Sequence, residues 1–383
     1  MKQVPASLPL NPRPRPTIAA RLWRTTKYTV VGLLPLAVLL AGAEALVRTV
    51  LKPSPPYRTP GLYEEVAGLN VPDPDLFWRN PKNFTTIAYG QEVRTNRYGL
   101  RGPDFPLEKA PDEYRILMLG ESTTFGAGVA GAETYSAVLE TLLNGESSGR
   151  KVRVINAGIS AYSSFQSLMY LKIDGLAFRP DLVIIYHEVN DYLPASIRTS
   201  GNTEVGTSLS DPELHRSSVN RLSRYLLEHW KLYETVSLLH ARWSLKRMQD
   251  ETVRSPLLDI GFPDIAIRPK LFAVDPNQVR SYRNVPRRVR PEERKAILQE
   301  FLAICSQRRI GLIVIHPAYA DSRKHACVLT EFVRDTGVLS VEAFDALHGE
   351  PGLFLDPFHP NVQGHRRLAR SLAQTIIENG LLR

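Results

Sequence analysis

The chain has 383 residues, of which 43% are hydrophobic and 23% are charged, and this balance excludes a disordered protein and allows a sizeable core. Eight of its nine net positive charges come from the first 58 residues, which carry nine basic residues and one acidic residue. The remaining 39 basic and 38 acidic residues nearly cancel, so the basic pI does not indicate nucleic-acid binding.

An apolar segment follows a basic arm at the N-terminus. Residues 1–27 are rich in proline and contain six basic residues, and residues 28–50 are mostly apolar, with Glu44 and Arg48 as their charged residues. Because this segment approaches the roughly 20 residues that span a bilayer, the sequence predicts a transmembrane signal anchor with its N-terminus in the cytoplasm. The rest of the chain would then be extracytoplasmic, either periplasmic or extracellular. A cleaved signal peptide and a buried soluble helix are the alternatives.

Residues 51–111 are predicted to form a linker and a small, partly β extension. The segment 53–60 is rich in proline, which is typical of a linker. Short β-like pieces follow at Thr85–Ala88 and Gln91–Thr95, among many turn residues. We expect this extension to pack on the main domain.

From residue 112 onward, strand-like and helix-like segments alternate. This pattern predicts an α/β fold with three layers, in which helices cover both faces of a parallel sheet. The strand-like segments are Ile116–Leu119, Val152–Asn156, Leu182–Tyr186, Leu312–His316 and Leu339–Phe344, and the helix-like segments are Glu133–Leu143, Ser164–Ala177, Glu292–Ser306, Ser322–Thr336 and Asn361–Glu378.

The alternation is interrupted after the third strand by an insertion at about 192–290, which is too long for a single crossover. It begins with a helical stretch at 211–248 and becomes rich in proline and arginine over 263–294. The insertion leaves the carboxyl edge of the sheet, so we expect it to cover the site and to determine substrate choice. Its arginines suit an anionic substrate or a membrane surface, although a solvated face is the simpler interpretation; they are Arg280, Arg283, Arg287, Arg288 and Arg290.

Four polar segments lie where predicted strands end or where the last helix begins. Because the carboxyl ends of parallel strands meet at one edge of a sheet, we expect these segments to lie close together. They are Gly120-Glu121-Ser122, Asn156-Ala157-Gly158, Glu188-Val189-Asn190-Asp191 and Asp356-Pro357-Phe358-His359-Pro360-Asn361.

The residue types in these segments are those that acyl transfer requires. Ser122 is the candidate nucleophile, His359 the candidate general base and acid, and Asp356 the residue that would orient the imidazole. The backbone N–H groups of Ser122 and Gly158 and the side-chain amide of Asn190 are candidate donors to the oxyanion. Taken singly, each residue has an ordinary explanation as a helix cap or turn residue, so the hypothesis depends on their occurring together in this order.

The four segments resemble the four sequence blocks of the SGNH, or GDSL-like, hydrolases. The resemblance covers about residue 115 to the C-terminus, apart from the insertion. It implies a flavodoxin-like sheet and a serine hydrolase that acts through an acyl-enzyme, with no metal or organic cofactor. The family's roles for Ser, Gly, Asn, Asp and His then fall on Ser122, Gly158, Asn190, Asp356 and His359.

Two positions depart from the family pattern. Glu121 stands where the first block usually has Asp, which keeps the charge. Glu188 stands where the third block usually has Gly, which places a carboxylate near the candidate oxyanion donors. This second departure bears on the role of Asn190 more than on Ser122 or His359.

The main functional hypothesis is a serine esterase that hydrolyses carboxylic esters, for example O-acyl groups on a polysaccharide or lipid. An O-acyltransferase acting on a cell-envelope polysaccharide or lipid is the first alternative, because the two share all chemistry up to the acyl-enzyme. A non-catalytic binding module on the same fold is the second, and Glu188 is its only support. His187, His316 and His365 are expected to be structural, since no helix-spaced histidine pair or cysteine cluster accompanies them.

The two cysteines, Cys305 and Cys327, are predicted to be unpaired thiols. If the strands follow the order 2-1-3-4-5, the helices that carry the cysteines are parallel neighbours. Cys305 lies near the end of one helix and Cys327 near the start of the next, so at about 1.5 Å per residue they would be offset by roughly 10 Å. That offset exceeds the reach of a disulfide.

Overall fold

The computed structural model describes residues 18–50, 69, 71–73, 75–146, 149–193, 196–198, 204–206, 210–216, 230, 232, 287–320, 327–348 and 351–382. The chain divides into two compact units. The first comprises residues 1–53 with 230–232, and the second comprises residues 54–229 with 233–383.

The first unit contains the helix α1 (Ile18–Val50), which begins ten residues before the predicted apolar segment. Within the part of the chain that the structure describes, there is no helix with the length and apolar character needed to cross a membrane. The prediction of a transmembrane anchor over 28–50 is therefore not supported. The uncharged run between Lys27 and Glu44 is shorter than the roughly 20 residues that a bilayer requires. Residues 1–17 of the predicted arm (1–27) and the linker at 53–60 lie outside the described residues.

The second unit begins with the β extension. Strands β1 (Val71–Asp73) and β2 (Phe77–Arg79) form one antiparallel pair, and β3 (Thr85–Ala88) and β4 (Gln91–Arg94) form another. The predicted β pieces thus occur as a hairpin. Behind it, Arg101 forms an antiparallel bridge with Asn156 on the edge strand of the main sheet. This bridge joins the extension to the sheet, and Leu76, Leu100 and Phe105 enter the core on one face of that sheet.

Strands β8 (Ser196–Arg198) and β9 (Glu204–Gly206) form an antiparallel pair in the insertion. The central sheet is separate and has five parallel strands, which are β5 (Glu113–Gly120), β6 (Lys151–Gly158), β7 (Leu182–Tyr186), β10 (Gly311–His316) and β11 (Leu339–Glu342). They lie in the order β6-β5-β7-β10-β11, which is the 2-1-3-4-5 order considered above. In the register, Gly120 lies opposite both Gly158 and Tyr186, so three carboxyl ends meet at one edge.

Helices cover both faces of the sheet because the strands carry apolar side chains on both faces. In β5, Leu117 and Leu119 point into one core, and Ile116 and Met118 point into the other, as the two-residue period of a strand requires. The predicted three-layer α/β fold is confirmed. Its helices are α2 (Ser122–Phe125), α3 (Tyr135–Glu146), α4 (Ser164–Ile173), α5 (Val189–Tyr192), α6 (Asp211–Arg216), α7 (Pro291–Gln307), α8 (Val328–Thr336), α9 (Ala343–Leu347) and α10 (Val362–Glu378).

The two described ends of the insertion are joined to each other by ion pairs. Helix α6 begins at Asp211, where the helical stretch was predicted, and the rest of that stretch lies outside the described residues. Arg288 is buried, donates to Asp211 at 2.9 Å and also donates to the Ala161 carbonyl. The expectation of a solvated face is therefore wrong for Arg288, because its guanidinium is paired inside the protein. Arg290 pairs with Glu213 at 2.7 Å, and Arg280 and Arg283 lie outside the described residues.

Both cysteines are free thiols, as predicted. Cys305 is buried near the end of α7, and Cys327 precedes α8 as its N-cap residue. The strand order makes α7 and α8 neighbours, as that prediction assumed.

Candidate active site

Ser122 is held at the carboxyl edge of the sheet by a tight turn from strand to helix. Strand β5 ends at Gly120, and α2 begins two residues later at Ser122 itself. A Cβ at Gly120 would overlap the side chain of Thr124 and would lie 2.9 Å from the carbonyl oxygen of Tyr186. Glycine is therefore required at this turn, and it places the partly exposed Ser122 side chain above the sheet.

His359 and Asp356 lie in the loop before α10 and complete a continuous chain of hydrogen bonds with Ser122. The Ser122 Oγ lies 2.8 Å from His359 Nε2, and His359 Nδ1 lies 2.6 Å from Asp356 Oδ2. Since the carboxylate accepts the Nδ1 proton, Nε2 of the neutral imidazole carries the lone pair that can accept the serine proton. The structure thus brings together the three residues that the sequence pattern singled out.

The loop fixes Asp356 in the orientation that this chain needs. Its Oδ1 atom accepts the backbone N–H groups of Phe358 and His359, each at 2.8 Å, while Oδ2 accepts from the imidazole. Burial alone would raise the pKa of Asp356, but the hydrogen bond and charge of His359 and the two backbone donors hold that pKa below its ordinary value. The carboxylate is therefore ionised when the imidazole must become positively charged.

Gly158 lies beside α2, and its missing side chain serves packing. A Cβ at Gly158 would lie 2.6 Å from the Thr124 carbonyl carbon, so only glycine lets α2 lie this close to β6. The backbone N–H of Gly158 donates to Asn156 Oδ1 at 3.0 Å. In this structure the Gly158 N–H therefore already has an acceptor, which differs from the simple oxyanion role expected from the sequence.

Asn190 is the second residue of the short helix α5 and is buried at the same edge. One N–H of its side-chain amide donates to the Tyr162 carbonyl at 3.1 Å. A primary amide has two N–H groups, and this contact accounts for one of them. The backbone N–H of Asn190 is directed at the Glu121 carboxyl at 3.4 Å, which connects the first and third segments.

The model of the GDSL-like Lipase/Acylhydrolase family matches residues 118–367. The chain belongs to this family. It is a serine hydrolase of the GDSL, or SGNH, type that acts on ester bonds, and the resemblance inferred from the four segments is confirmed.

Two solved structures are similar to this GDSL-like hydrolase. One is the alpha/beta hydrolase enzyme LAE5 from the metagenome of Lake Arreo, Spain, with 17% identity, coverage of 70% of this chain and 96% of that chain, and a TM-score of 0.38. Another is Axe2, an acetylxylan esterase from Geobacillus stearothermophilus, with 18% identity, coverage of 69% and 94%, and a TM-score of 0.38. No curated relative matches the chain at a significant level.

Glu188, the departure in the third segment, lies in a buried ionic cluster. Arg294 of α7 approaches Glu188 at 3.4 Å and Asp191 at 3.5 Å, and it donates to the His187 carbonyl at 2.7 Å. Burial would lower the pKa of Arg294, but the charges of Glu188 and Asp191 raise it above its ordinary value. The Glu188 carboxylate, which stands where the family pattern has glycine, is thus paired with a cation from α7, the helix that follows the insertion.

Glu121 is the third carboxyl group at this point. Burial raises its pKa well above the ordinary value, and the nearby charges of Asp191 and Glu188 raise it further. These effects favour the neutral acid and reduce the charge that Arg294 must balance. The retained carboxyl at position 121 therefore contributes to a structural network beneath the nucleophile.

Two supporting residues of the GDSL-like site were missed by the sequence analysis. Arg101 of the extension is buried and donates to two carbonyl oxygens, that of Phe125 at the end of α2 (2.9 Å) and that of Val129 in the turn that follows (2.6 Å). Asn156 donates to the Thr124 carbonyl at 2.8 Å. Both side chains satisfy backbone groups around the nucleophile helix. Asn156 was within a singled-out segment, whereas nothing in the local sequence distinguishes Arg101.

The remaining histidines have structural contacts. His187 contacts the Ser167 hydroxyl at 2.7 Å, and His316 lies 3.5 Å from Glu342. His365 accepts the backbone N–H of Tyr135 on Nδ1 at 3.1 Å and stacks on the Tyr135 ring. Burial lowers the pKa of His365 to about 3, and the positive charge of Arg101 acts in the same direction. In the described residues there is no cluster of three or more metal-binding side chains.

His365 is expected to make the protein less stable in mild acid. Its pKa of about 3 in the folded state lies below the ordinary value of 6.5, so the unfolded chain takes up this proton first. The stability that the neutral imidazole provides is complete above pH 6.5 and is lost as the pH falls from there towards 3. Between pH 7 and pH 5, the free energy of unfolding should fall by about 2 kcal/mol more in the wild type than in a His365→Asn variant.

Urea unfolding at pH 7 and pH 5 measures this difference. The Asn side chain keeps an oxygen acceptor for the Tyr135 N–H but does not titrate. His348→Asn, at an exposed position with positive φ that suits asparagine, is the matched control. An equal pH dependence in the wild type and His365→Asn would contradict the assignment.

Proposed function

We propose that this protein is a serine esterase that hydrolyses carboxylic O-acyl esters through Ser122, His359 and Asp356. The observation that carries the proposal is the hydrogen-bonded chain from Ser122 Oγ to His359 Nε2, at 2.8 Å, and from His359 Nδ1 to Asp356, at 2.6 Å. This is the arrangement in which a serine hydroxyl is activated by an adjacent base. The substrates we favour are O-acyl groups on a carbohydrate or lipid.

In the first half of the reaction, the Ser122 oxygen attacks the ester carbonyl while its proton passes to His359 Nε2. The resulting imidazolium is stabilised by Asp356, whose lowered pKa keeps it anionic. The C–O bond to the alcohol then breaks, and the alcohol leaves with the proton from Nε2. Water repeats the sequence on the acyl-enzyme, which releases the carboxylic acid and restores the serine.

The oxyanion is proposed to be stabilised by the Ser122 backbone N–H and the second N–H of the Asn190 amide. The Gly158 N–H is a third candidate, and it would have to exchange its contact with Asn156 Oδ1 for the oxyanion. Hydrogen bonds in a catalytic site often tighten or rearrange when substrate binds, so this exchange is compatible with the family role.

The first test of the proposal combines labelling and acceptor dependence. The full-length protein is expected to react covalently with a fluorophosphonate at Ser122 and to release acid from p-nitrophenyl acetate. Absence of both would contradict a working nucleophile. If the acyl group instead passes to an added sugar and free acid does not accumulate, the protein is an O-acyltransferase, since the two activities share every step to the acyl-enzyme.

The non-catalytic binding module loses its one supporting feature. Glu188 had been its sole support, as a carboxylate placed near the oxyanion donors. The Glu188 carboxylate is paired with Arg294 in a buried cluster, and this pairing supports the esterase proposal over a binding module.

An extracytoplasmic location is a separate proposal that is supported by the sequence alone. Six basic residues precede the apolar segment 28–50. A reporter that is active only outside the cytoplasm, fused after residue 58, should then be active. An inactive reporter, together with an active cytoplasmic reporter at the same position, would contradict this location.

A further inference from the structure

The hairpin of the β extension borders the candidate active site. Ala88 and Val93 of this hairpin form a small core with Phe125, which is the last residue of the nucleophile helix α2. Tyr89, at the tip of the hairpin, packs on the same core. Its ring centroid lies 6.3 Å from that of Phe125 and 6.5 Å from that of His359. An aromatic ring from outside the central sheet thus flanks the candidate base.

The backbone at this tip does not favour a tyrosine. Tyr89 and Gly90 form the two-residue loop between β3 and β4, and both have positive φ, at 53° and 70°. Positive φ at both central residues is the requirement of a type I′ turn, where asparagine, aspartate and glycine are preferred at the first position. For a bulky residue such a φ is an outlier that invites a functional explanation.

The position of the ring determines which half of an ester it would meet. His359 returns a proton to the departing alcohol from Nε2, so groups beside the imidazole border the alcohol half of the substrate. Gly158 and Asn190 belong to the acyl carbonyl side, where the oxyanion forms. Tyr89 flanks the imidazole and is partly exposed. A second apolar side chain, Leu355, lies in the loop before α10 that also carries His359. Its backbone N–H donates to the His359 carbonyl, and 53% of its surface is exposed.

A tyrosine ring offers one kind of contact that a smaller residue at this turn would lack. It presents a flat apolar face, and it loses little conformational freedom on binding because only two side-chain torsions are ordered. A ring on the alcohol, whether an aryl group or the C–H face of a pyranose, can cover that face. A short acyclic alcohol covers much less of it.

We propose that Tyr89 is a substrate-binding residue that stacks against a ring in the alcohol half of the ester. This role rests on the proposed esterase function and extends it to a substrate class, namely esters of ring-bearing alcohols. It also explains why the first position of the turn holds an aromatic residue in place of the asparagine or glycine that the backbone prefers.

The decisive variant is Tyr89→Asn in the full-length chain. Asparagine removes the ring and its packing on Phe125 but suits the positive φ, so the variant should still fold, which its Tm checks. Three acetate esters then share one acyl group and differ in the alcohol: phenyl acetate, a monoacetylated methyl pyranoside and ethyl acetate. We expect kcat/KM of Tyr89→Asn for at least one ring-bearing ester to fall about tenfold relative to that for ethyl acetate.

Tyr89→Phe is the matched control, because it keeps the ring and should keep the wild-type preference. A loss confined to the aryl ester or to the pyranoside supports the role and identifies the alcohol class. The preference for acetate over butyrate should not change, since the acyl group lies on the other side of the site.

Two results would overturn the inference in distinguishable ways. In the first, the wild type hydrolyses the esters, but Tyr89→Asn leaves the ratios of kcat/KM between ring-bearing esters and ethyl acetate unchanged or lowers all rates equally. Tyr89 then does not bind the alcohol half of the substrate, and the esterase function stands. If the wild type hydrolyses none of them and takes no fluorophosphonate label, the esterase function fails, and the Tyr89 role fails with it.

Discussion

Ser122→Ala and His359→Ala are each expected to lower kcat for ester hydrolysis by about 10⁵-fold, because either change removes the nucleophile or the base of one hydrogen-bonded unit. The same unit predicts strong non-additivity. Once Ser122 Oγ is gone, His359 Nε2 has no proton to accept from it, so the double variant should be about as slow as either single variant.

Steady-state kinetics on p-nitrophenyl acetate, with unfolding measured in parallel, test this expectation. Ser371→Ala, in the middle of α10, removes a hydroxyl away from the sheet edge and should keep wild-type kcat. Losses that multiply in the double variant would show that the two residues act independently, which the 2.8 Å contact between them does not allow. Activity retained in both single variants would refute the assignment of the triad.

The fold and the meeting of the three candidate residues were predictable from the sequence because both depend on order along the chain. A short apolar run that ends at a glycine, such as Ile116–Leu119 before Gly120, is typical of a buried parallel strand, and the residues that follow successive parallel strands meet at one edge. Ser122, Asp356 and His359 were chosen as candidates by their residue types and their order along the chain. The unpaired thiols followed from the same topology, since the strand order sets which helices are neighbours.

What the sequence did not predict depends on side-chain contacts between distant segments. Arg294 of α7 meets Glu188 across 106 positions of sequence, and Arg101 reaches the turn after α2 from the extension. No spacing rule identifies such partners, because many folded arrangements would place other cations there. The contact of the Gly158 N–H with Asn156 depends on a side-chain torsion. The transmembrane prediction had a different weakness, which is that it depended on the length of one apolar segment.

Arg294→Met is expected to lower the free energy of unfolding by about 3–5 kcal/mol, because it leaves buried carboxyl groups without their cation. Arg294 and Glu188 are almost completely buried, with side-chain exposures of 3% and 2%, and Asp191 is equally enclosed. Burial already raises the pKa of Asp191, and removing the positive charge of Arg294 should raise it further. Protonation of the carboxyls would recover only part of the lost stability.

Arg290→Met provides the matched control for this substitution. Arg290 precedes the same helix and pairs with Glu213, but both side chains are about one-third exposed, so its loss should cost about 1 kcal/mol or less. Urea unfolding at pH 7 should therefore separate the two variants clearly. If both substitutions lower the free energy of unfolding by the same small amount, the Arg294 cluster is effectively solvated and contributes no more than a surface ion pair.

The double variant Glu188→Gln/Arg294→Met connects this cluster to the active site. Neutralising Glu188 removes one of the charges that Arg294 balances, so the double variant should be more stable than Arg294→Met alone. Asn190 lies between Glu188 and Asp191 in the sequence, and its backbone N–H donates to the Glu121 carboxyl. A shift of α5 would therefore move the side-chain amide of Asn190. We therefore expect Arg294→Met to lower kcat as well as stability, and the double variant to regain part of both. Recovery of stability without any recovery of kcat would show that the cluster supports the fold but does not position Asn190.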